Sequence, residues 1–105
     1  MANITQREVF IMEYRRFGNT IYLRLDPKEE ILEEIGKVAK KENIRLAQVT
    51  GLGAINDFTA GVYNTVTKEY HSIQFQGAFE IVSLTGTVTR KDGDVYLHLH
   101  IAAGD

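Results

Sequence analysis

The sequence predicts an α+β domain, in which one central helix packs on a mainly antiparallel, curved β-sheet of about seven strands. Three observations predict this fold class. Only one segment of the 105 residues has helical periodicity, whereas most of the chain consists of short runs rich in β-branched and aromatic residues. Short turn signals separate these runs, and such turns join antiparallel strands. A chain of this length has room for one hydrophobic core, so we expect a single domain.

Two strands are predicted in the opening segment, near residues 8–15 and 20–25, after an N-terminal extension of residues 1–7. Gly18 and Asn19 lie between the two strands. Both residue types tolerate the positive φ angles of tight turns, so the pair predicts a hairpin.

The helix is predicted over about residues 27–42. Asp26 is a suitable N-cap, Pro27 fits the first helical position, and Glu29 follows the cap by three residues, as in a capping box. The apolar residues with helical spacing form one stripe, which comprises Ile31, Leu32, Ile35, Val38 and Ala39. Asn43 is expected to end the helix in a left-handed conformation.

Five further strands are predicted after the helix. The first runs from Ile44 into a loop at Gly51 and Gly53, and the others are separated by a turn at 65–68, a break at Gln76-Gly77 and the turn "KDGD". The two glycines of the loop lack the third glycine and the following helix of a dinucleotide-binding fingerprint. We therefore expect a bulge or a tight bend there.

Composition excludes several classes of function. The formal net charge is −2, with acidic and basic residues interspersed, so charge gives no support to nucleic-acid binding. The absence of cysteine excludes disulfides, thiolate catalysis and cysteine-ligated metals. No stretch approaches the ~20 apolar residues of a membrane-spanning helix, and the polar N-terminus lacks a signal peptide, so we expect a cytoplasmic protein without a membrane partner.

The most chemically suggestive stretch is "HLHIAAGD" at the end of the sequence. Strand alternation places His98 and His100 on the same face, with Cβ atoms about 6–7 Å apart, close enough for both imidazoles to bind one metal ion. Zinc requires further ligands, and the sequence offers His71, Glu80 and Asp105 or a residue of another subunit. Alternatively, the two histidines are ordinary polar residues on a half-exposed strand.

Six segments in order resemble the PPC (plant and prokaryote conserved) domain family. They are "LRLDPKEEILEEI", "VTGLGAI", "YNTVTKEY", "GAFEIVSLTGTVTR", "KDGD" and "LHLHIA", and the match covers nearly all of residues 8–105. The resemblance implies a single PPC domain over residues 8–105, an α+β fold with a mainly antiparallel sheet, and assembly as a homotrimer. In prokaryotes the domain usually stands alone.

The family resemblance also suggests two kinds of partner, namely DNA and other proteins. Such proteins are often labelled DNA-binding because plant relatives carry an AT-hook, but here Pro27 is the only proline and no Arg-Gly-Arg-Pro core exists. The partner-contact motif of the plant proteins, Gly-Arg-Phe-Glu-Ile, is matched at Gly77, Phe79, Glu80 and Ile81, with alanine in place of the arginine.

The family resemblance further implies a metal site at His98 and His100. Prokaryotic members carry a His-x-His strand followed by a Gly-Gly-His segment, and these three histidines look like a zinc site. The sequence ends at Asp105 without that segment. We therefore expect a domain that lacks the C-terminal segment of the family, with a third zinc ligand from beyond Asp105 or from a neighbouring subunit.

Three hypotheses of function are consistent with these patterns. The first is a stand-alone, trimeric binding or assembly module with a zinc site at His98 and His100. The second is a metal-dependent enzyme of unknown reaction, in which the ion would activate water and Glu80 would act as a base. The third is DNA binding by basic residues arrayed around an oligomer, namely Arg15, Arg16, Arg24, Arg45, Arg90 and nearby lysines.

Overall fold

A computed structural model describes residues 13–105 of the chain, so residues 1–7 and the start of the predicted first strand, residues 8–12, lie outside the described residues. The elements in chain order are β1 (Glu13–Phe17), β2 (Thr20–Arg24), α1 (Ile31–Lys41), β3 (Ala47–Asn64), β4 (Glu69–Lys91) and β5 (Asp94–Gly104). This is an α+β fold, mainly antiparallel, with one helix in the described residues. The predicted fold class is confirmed at this level.

The predicted count of seven strands is wrong, because the described residues form five. Gly51 and Gly53 do not end a strand but lie at a register shift inside β3, and Gln76-Gly77 lies inside β4. Gly53 and Gly77 have φ angles of 143° and 140°, which let the chain bend without leaving the sheet. The expected bulge is confirmed, whereas the predicted breaks are not.

The strands belong to two sheets and not to the single curved sheet that was predicted. One sheet is the β1–β2 hairpin, and the other has the order β3-β4-β5. The described chain forms two compact units. We call residues 13–45 with 90–96 the helical unit, and residues 46–89 with 97–105 the sheet unit. The predicted packing of the helix on the sheet stays a prediction.

In the helical unit, β1 and β2 form the predicted hairpin. Phe17 pairs with Thr20 across a two-residue turn, and Gly18 has a φ angle of 63°. Glycine with positive φ at the first central position is typical of a type II′ turn, whose twist matches that of the strands. The pair Gly18-Asn19 therefore closes the hairpin as expected.

The helix starts later than predicted, at Ile31, with Glu30 as its N-cap. Lys28 has a φ angle of 76°, which is incompatible with a right-handed helix through residues 27–30. The segment forms a β-turn instead, closed by the Glu29 amide bonded to the Asp26 carbonyl at 3.2 Å. The expected contact of a capping box still forms, because the Glu29 carboxylate accepts from the Asp26 amide at 2.6 Å.

The end of the helix agrees with the prediction. Asn43 follows the C-cap with a φ angle of 53°. The Ile44 amide donates to the Ala39 carbonyl at 2.9 Å, and the Asn43 amide donates to Lys40 at 3.2 Å, which is the Schellman pattern. Val38 and Ala39 are buried, as the apolar stripe predicts.

The sheet unit consists of long antiparallel strands, and residues 69–78 of β4 are exposed on both faces. β3 pairs with β4 from Ala47–Val88 to Asn64–Glu69. The buried side chains of this unit all belong to β4 and are Ile81, Leu84 and Val88. The turn from β4 to β5 contains Asp92 and Gly93, with φ angles of 54° and 87°, and is the predicted tight hairpin.

Candidate functional site

The histidine pair lies on the exposed face of β5. Residues 95, 97, 99, 101 and 103 of this strand are half-buried, whereas the intervening residues, including His98 and His100, are exposed. The two imidazoles therefore share one face, as the alternation predicted. Because both rings reach solvent, they are accessible to a ligand.

The two rings approach each other through their Nε2 atoms. The distance from His98 Nε2 to His100 Nε2 is 3.2 Å, and the ring centroids are 5.0 Å apart. Two neutral imidazoles at this distance can form a hydrogen bond, with one ring donating and the other accepting. The same distance also suits two nitrogen ligands of a single metal ion.

The geometry of the pair fits part of a zinc site. Two nitrogens that each lie about 2.05 Å from one ion and are 3.2 Å apart subtend about 103° at the ion, near the tetrahedral angle. Neutral imidazole is a common zinc ligand, and the exposed Nε2 atoms leave room for additional ligands. The histidines therefore fit two positions of a four-coordinate site.

The described residues do not bring a third ligand to the pair. Within residues 13–105 no three histidine, aspartate or glutamate side chains form a group that could hold a metal. His71 lies on β4 opposite Val62, with its Nε2 3.8 Å from a Glu69 carboxylate oxygen. Glu80 is exposed on β4 opposite Ala54. Neither residue is joined to the histidine pair.

A close backbone approach at Gly86 positions β5 beside β4. A Cβ atom at Gly86 would overlap the carbonyl oxygen of His98 and would lie 2.7 Å from the Cα atom of Leu99. Only glycine allows β5 to come this close to β4 here. Sequence reasoning missed this role, because the glycine lies within a run that reads as an ordinary strand.

Hydroxyl and amide side chains of β4 and β3 lie on the same exposed sheet face as the histidine pair, on one side of it. Gly86 faces the half-buried side, so its neighbours Thr85 and Thr87 lie on the same exposed face as the histidines. The residues paired with them on β3 are Thr50 and Gln48. We call Gln48, Thr50, Thr85, Thr87, His98 and His100 the polar sheet face. None of its residues carries a permanent charge.

Alternation alone could have found most of the polar sheet face. In "SLTGTVT" every second residue carries a hydroxyl group, which is the period of one strand face. The signal that places this stripe beside the histidines is the pairing of β4 with β5.

The residues of the plant partner-contact motif are divided between the core and the surface. Ile81 is buried, and Phe79 is half-buried in an aromatic cluster. The ring centroid of Phe79 lies 5.4 Å from Phe58 and 6.4 Å from Phe75, edge to face in both cases. Only Glu80 presents a long side chain to solvent. A partner contact by this motif remains a prediction, and Glu80 is the side chain accessible for it.

An apolar strip follows the same face of the β3–β4 hairpin toward its turn. Phe58 pairs with Phe75, and Ala60 pairs with Ile73, so these residues share one face with Val62. We call these five residues the apolar ribbon face. Val62 is 74% exposed and Ile73 is 63% exposed. Phe58 and Ala60 are half-buried, and His71, which pairs with Val62, lies on the same face.

The arginines of the DNA hypothesis are largely engaged in contacts within the helical unit. Arg16 pairs with Glu42 at 2.9 Å, and Arg24 pairs with Glu13 at 3.0 Å. Arg90 donates to the Ile44 carbonyl at 3.0 Å. In the described part of the chain, Arg15 and Arg45 form no such ion pair, and both are exposed.

The tyrosine Tyr14 completes the network around Glu42. Its hydroxyl donates to the Glu42 carboxylate at 2.8 Å. This hydrogen bond, together with Arg16, holds the pKa of Glu42 below its usual value of 4.5, and it raises the pKa of Tyr14. These contacts link β1 to the C-terminal end of α1.

No helix within residues 13–105 is long and apolar enough to cross a membrane. Comparison with family descriptions matches residues 12–105 to the Plants and Prokaryotes Conserved (PCC) domain. Comparison with curated proteins finds no match.

Several solved structures have a similar fold. A candidate DNA-binding protein from Bacteroides thetaiotaomicron is 32% identical over 89% of this chain, with a TM-score of 0.84. A metal-containing protein from Archaeoglobus fulgidus is 26% identical over 90% of the chain, with a TM-score of 0.78. A plant- and prokaryote-conserved protein from Pyrococcus horikoshii is 31% identical over 98%, with a TM-score of 0.75. The chain spans 65%, 67% and 67% of the lengths of these three proteins, respectively.

Proposed function

The chain belongs to the Plants and Prokaryotes Conserved (PCC) domain family, and from this premise we propose that it is a homotrimeric binding or assembly module with a zinc site at His98 and His100. The observation that carries the zinc proposal is the 3.2 Å separation of the two Nε2 atoms on an exposed strand face. The similar protein from Archaeoglobus fulgidus contains a metal, which supports the proposal that a protein with this fold can bind one.

In this proposal the chain supplies two neutral imidazole ligands and an uncharged hydrogen-bonding surface. A zinc ion held there would act as a Lewis acid toward a water or another oxygen ligand. Thr85 and Thr87 lie on the strand next to the histidines, and their hydroxyl groups can both donate and accept hydrogen bonds. The remaining zinc ligands would come from outside the described residues or from a neighbouring subunit.

Metal analysis of the purified full chain tests the zinc site. We expect about one zinc per chain, lost when His98→Ala or His100→Ala removes one imidazole. His71→Ala removes the third histidine of the sequence, and we expect it to retain zinc; loss of zinc in this variant would instead show that a neighbouring subunit supplies this histidine as a further ligand. Wild-type protein that retains no metal after exposure to zinc would refute the proposal.

The apolar ribbon face supports the trimer part of the proposal. Its exposed apolar side chains would gain from burial against a second copy of the chain, and exposed strips of this kind are uncommon in monomers. We expect light scattering to give three chains per particle, and Val62→Glu with Ile73→Glu to give monomers. Thr59→Glu lies on the opposite face of the same strand and should leave the trimer intact. A monomeric wild type at micromolar concentration would contradict this part.

DNA binding is a second candidate function, favoured by the description of the Bacteroides thetaiotaomicron protein. Arg15 and Arg45 are the exposed arginines that would contact phosphates, whereas Arg16, Arg24 and Arg90 contribute to intramolecular contacts. A mobility-shift experiment with duplex DNA at low salt tests it. Binding should weaken steeply as salt is raised. Absence of any shift would remove this candidate.

A further inference from the structure

The first hairpin has one face that carries aromatic and arginine side chains. The direct pairs Glu13–Arg24, Arg15–Tyr22 and Phe17–Thr20 place all six residues on the same side of the β1–β2 sheet. We call these six residues the hairpin face. It contains two arginines, two aromatic rings, one threonine and one glutamate, and no aliphatic side chain.

The opposite face of this hairpin already has its partner inside the helical unit. Tyr14 and Arg16 both bond to Glu42, which caps the end of α1. Ile21 and Leu23 alternate with the exposed residues of β2 and are half-buried. The hairpin face therefore points away from the contacts that hold the hairpin to the helix.

The two aromatic rings of the hairpin face are accessible. Phe17 is 60% exposed and Tyr22 is 68% exposed. Their centroids lie 5.8 Å apart, with the rings at 73° to each other in an edge-to-face contact. Burying aromatic surface is favourable, so two adjacent rings that remain this exposed on a strand pair suit a ligand with flat faces of its own.

The guanidinium of Arg15 beside the rings favours an anionic group in the ligand. Arg15 lies directly opposite Tyr22, and Arg24 lies next to Tyr22 on the same face, two residues along β2. Arg24 pairs with Glu13 at 3.0 Å and lies 3.5 Å from Asp26, so Arg15 is the arginine of this face that has no ion pair within the described residues. Arginine can contact phosphate, and its guanidinium plane can also stack on a base.

We propose that the hairpin face binds single-stranded nucleic acid, with bases stacked on Tyr22 and Phe17 and the backbone phosphates held by Arg15. Exposed aromatic side chains on neighbouring strands are the usual means of stacking unpaired bases on a sheet. Bases in a duplex cannot stack in this way, because their faces are covered by neighbouring base pairs. This inference goes beyond the zinc and assembly module and does not depend on it.

Fluorescence anisotropy with a labelled ten-nucleotide oligothymidylate tests the proposal on the full chain at low salt. We expect Tyr22→Ala to weaken binding by about fivefold or more, because each stacked base contributes substantially to affinity. Tyr22→Phe keeps the ring and should bind nearly as tightly as the wild type. Arg15→Ala should also weaken binding and should reduce the dependence of affinity on salt.

Tyr63→Ala is the matched control, since Tyr63 is an exposed tyrosine on β3 in the other unit. It should bind oligothymidylate as the wild type does. The proposal is overturned if the wild type does not bind at low salt, or if Tyr22→Ala with an unchanged circular dichroism spectrum binds equally well. Equal affinity for a duplex of the same length would also overturn it, because stacking would then contribute nothing.

Discussion

The helical unit and the sheet unit use their polar side chains in different ways. The sheet unit contains one lysine, Lys68, and no arginine, so every other lysine and arginine of the described chain lies in the helical unit. Some of these charges are paired within the unit, as in Arg16–Glu42, Arg24–Glu13 and Lys37–Glu34. In the sheet unit, the polar sheet face is uncharged and exposed.

This difference bears on the cost of binding a ligand at the histidines. A polar group that already has an intramolecular partner contributes to stability, and releasing it for a ligand costs free energy. His98 and His100 contact only each other among the polar groups of the described residues. Their nitrogens can exchange that single hydrogen bond for a metal without breaking a larger network. In the zinc proposal, the histidines would therefore bind the ion at little cost to the hydrogen bonds of the folded chain.

The largest expected difference in the free energy of unfolding is between alanine substitutions of two glycines, one in each unit. Gly86→Ala should destabilise the protein by about 3 kcal/mol or more, because its Cβ would overlap the β5 backbone. Gly36→Ala should stabilise it by about 0.5–1 kcal/mol, because Gly36 lies inside α1 and nothing lies within 4 Å of the added atom. Urea denaturation of both variants measures the difference. Equal effects of the two substitutions would contradict the close approach at Gly86.

The second prediction compares two valines of β4. Val88 is 2% exposed, and Val88→Ala should cost about 2 kcal/mol of the free energy of unfolding, through lost burial and a residual cavity. Val82 is 74% exposed, and Val82→Ala should change stability by less than about 0.5 kcal/mol. The same urea experiment checks both values. A large loss at Val82 would show that this side chain is buried by another chain.

The smallest effect on stability is expected from changes to the network of Tyr14, Arg16 and Glu42 in the helical unit. The hydrogen bond from Tyr14 and the Arg16 guanidinium lower the pKa of Glu42 below 4.5. A carboxyl whose pKa is lower in the folded chain contributes stability at neutral pH, and that contribution is lost as the pH falls through the lowered pKa. Tyr14→Phe should therefore make stability depend less on pH below about pH 4.5.

Thermal unfolding of wild type and Tyr14→Phe from pH 7 to pH 3 measures this dependence. Tyr63→Phe is the matched control, because it removes the hydroxyl of an exposed tyrosine in the other unit. An identical acid dependence in wild type and Tyr14→Phe would show that the network does not act through Glu42.

Local chemistry in the sequence predicted the features that depend on a few neighbouring residues. Asn43 ends the helix as expected, and Gly18 closes the first hairpin. The exposed face shared by His98 and His100 follows from strand alternation alone. In each case the deciding interactions lie within a few residues along the chain.

The predictions that failed depended on partners distant in sequence. Gly51 and Gly77 were expected to end strands, but pairing between β3 and β4 carries both strands through the glycines. The helix start was misplaced because Lys28 adopts a left-handed conformation that its residue type does not favour. The sequence also could not identify a third zinc ligand, since ligands meet in space and not along the chain.

Calorimetric titration of zinc into metal-free full-length protein at neutral pH tests the central claim most directly, namely that the polar sheet face binds a metal through His98 and His100. We predict saturation near one zinc per chain for the wild type and for His71→Ala, and no saturable binding for His98→Ala or His100→Ala. The claim would be contradicted if His98→Ala and His100→Ala bound zinc as tightly as the wild type.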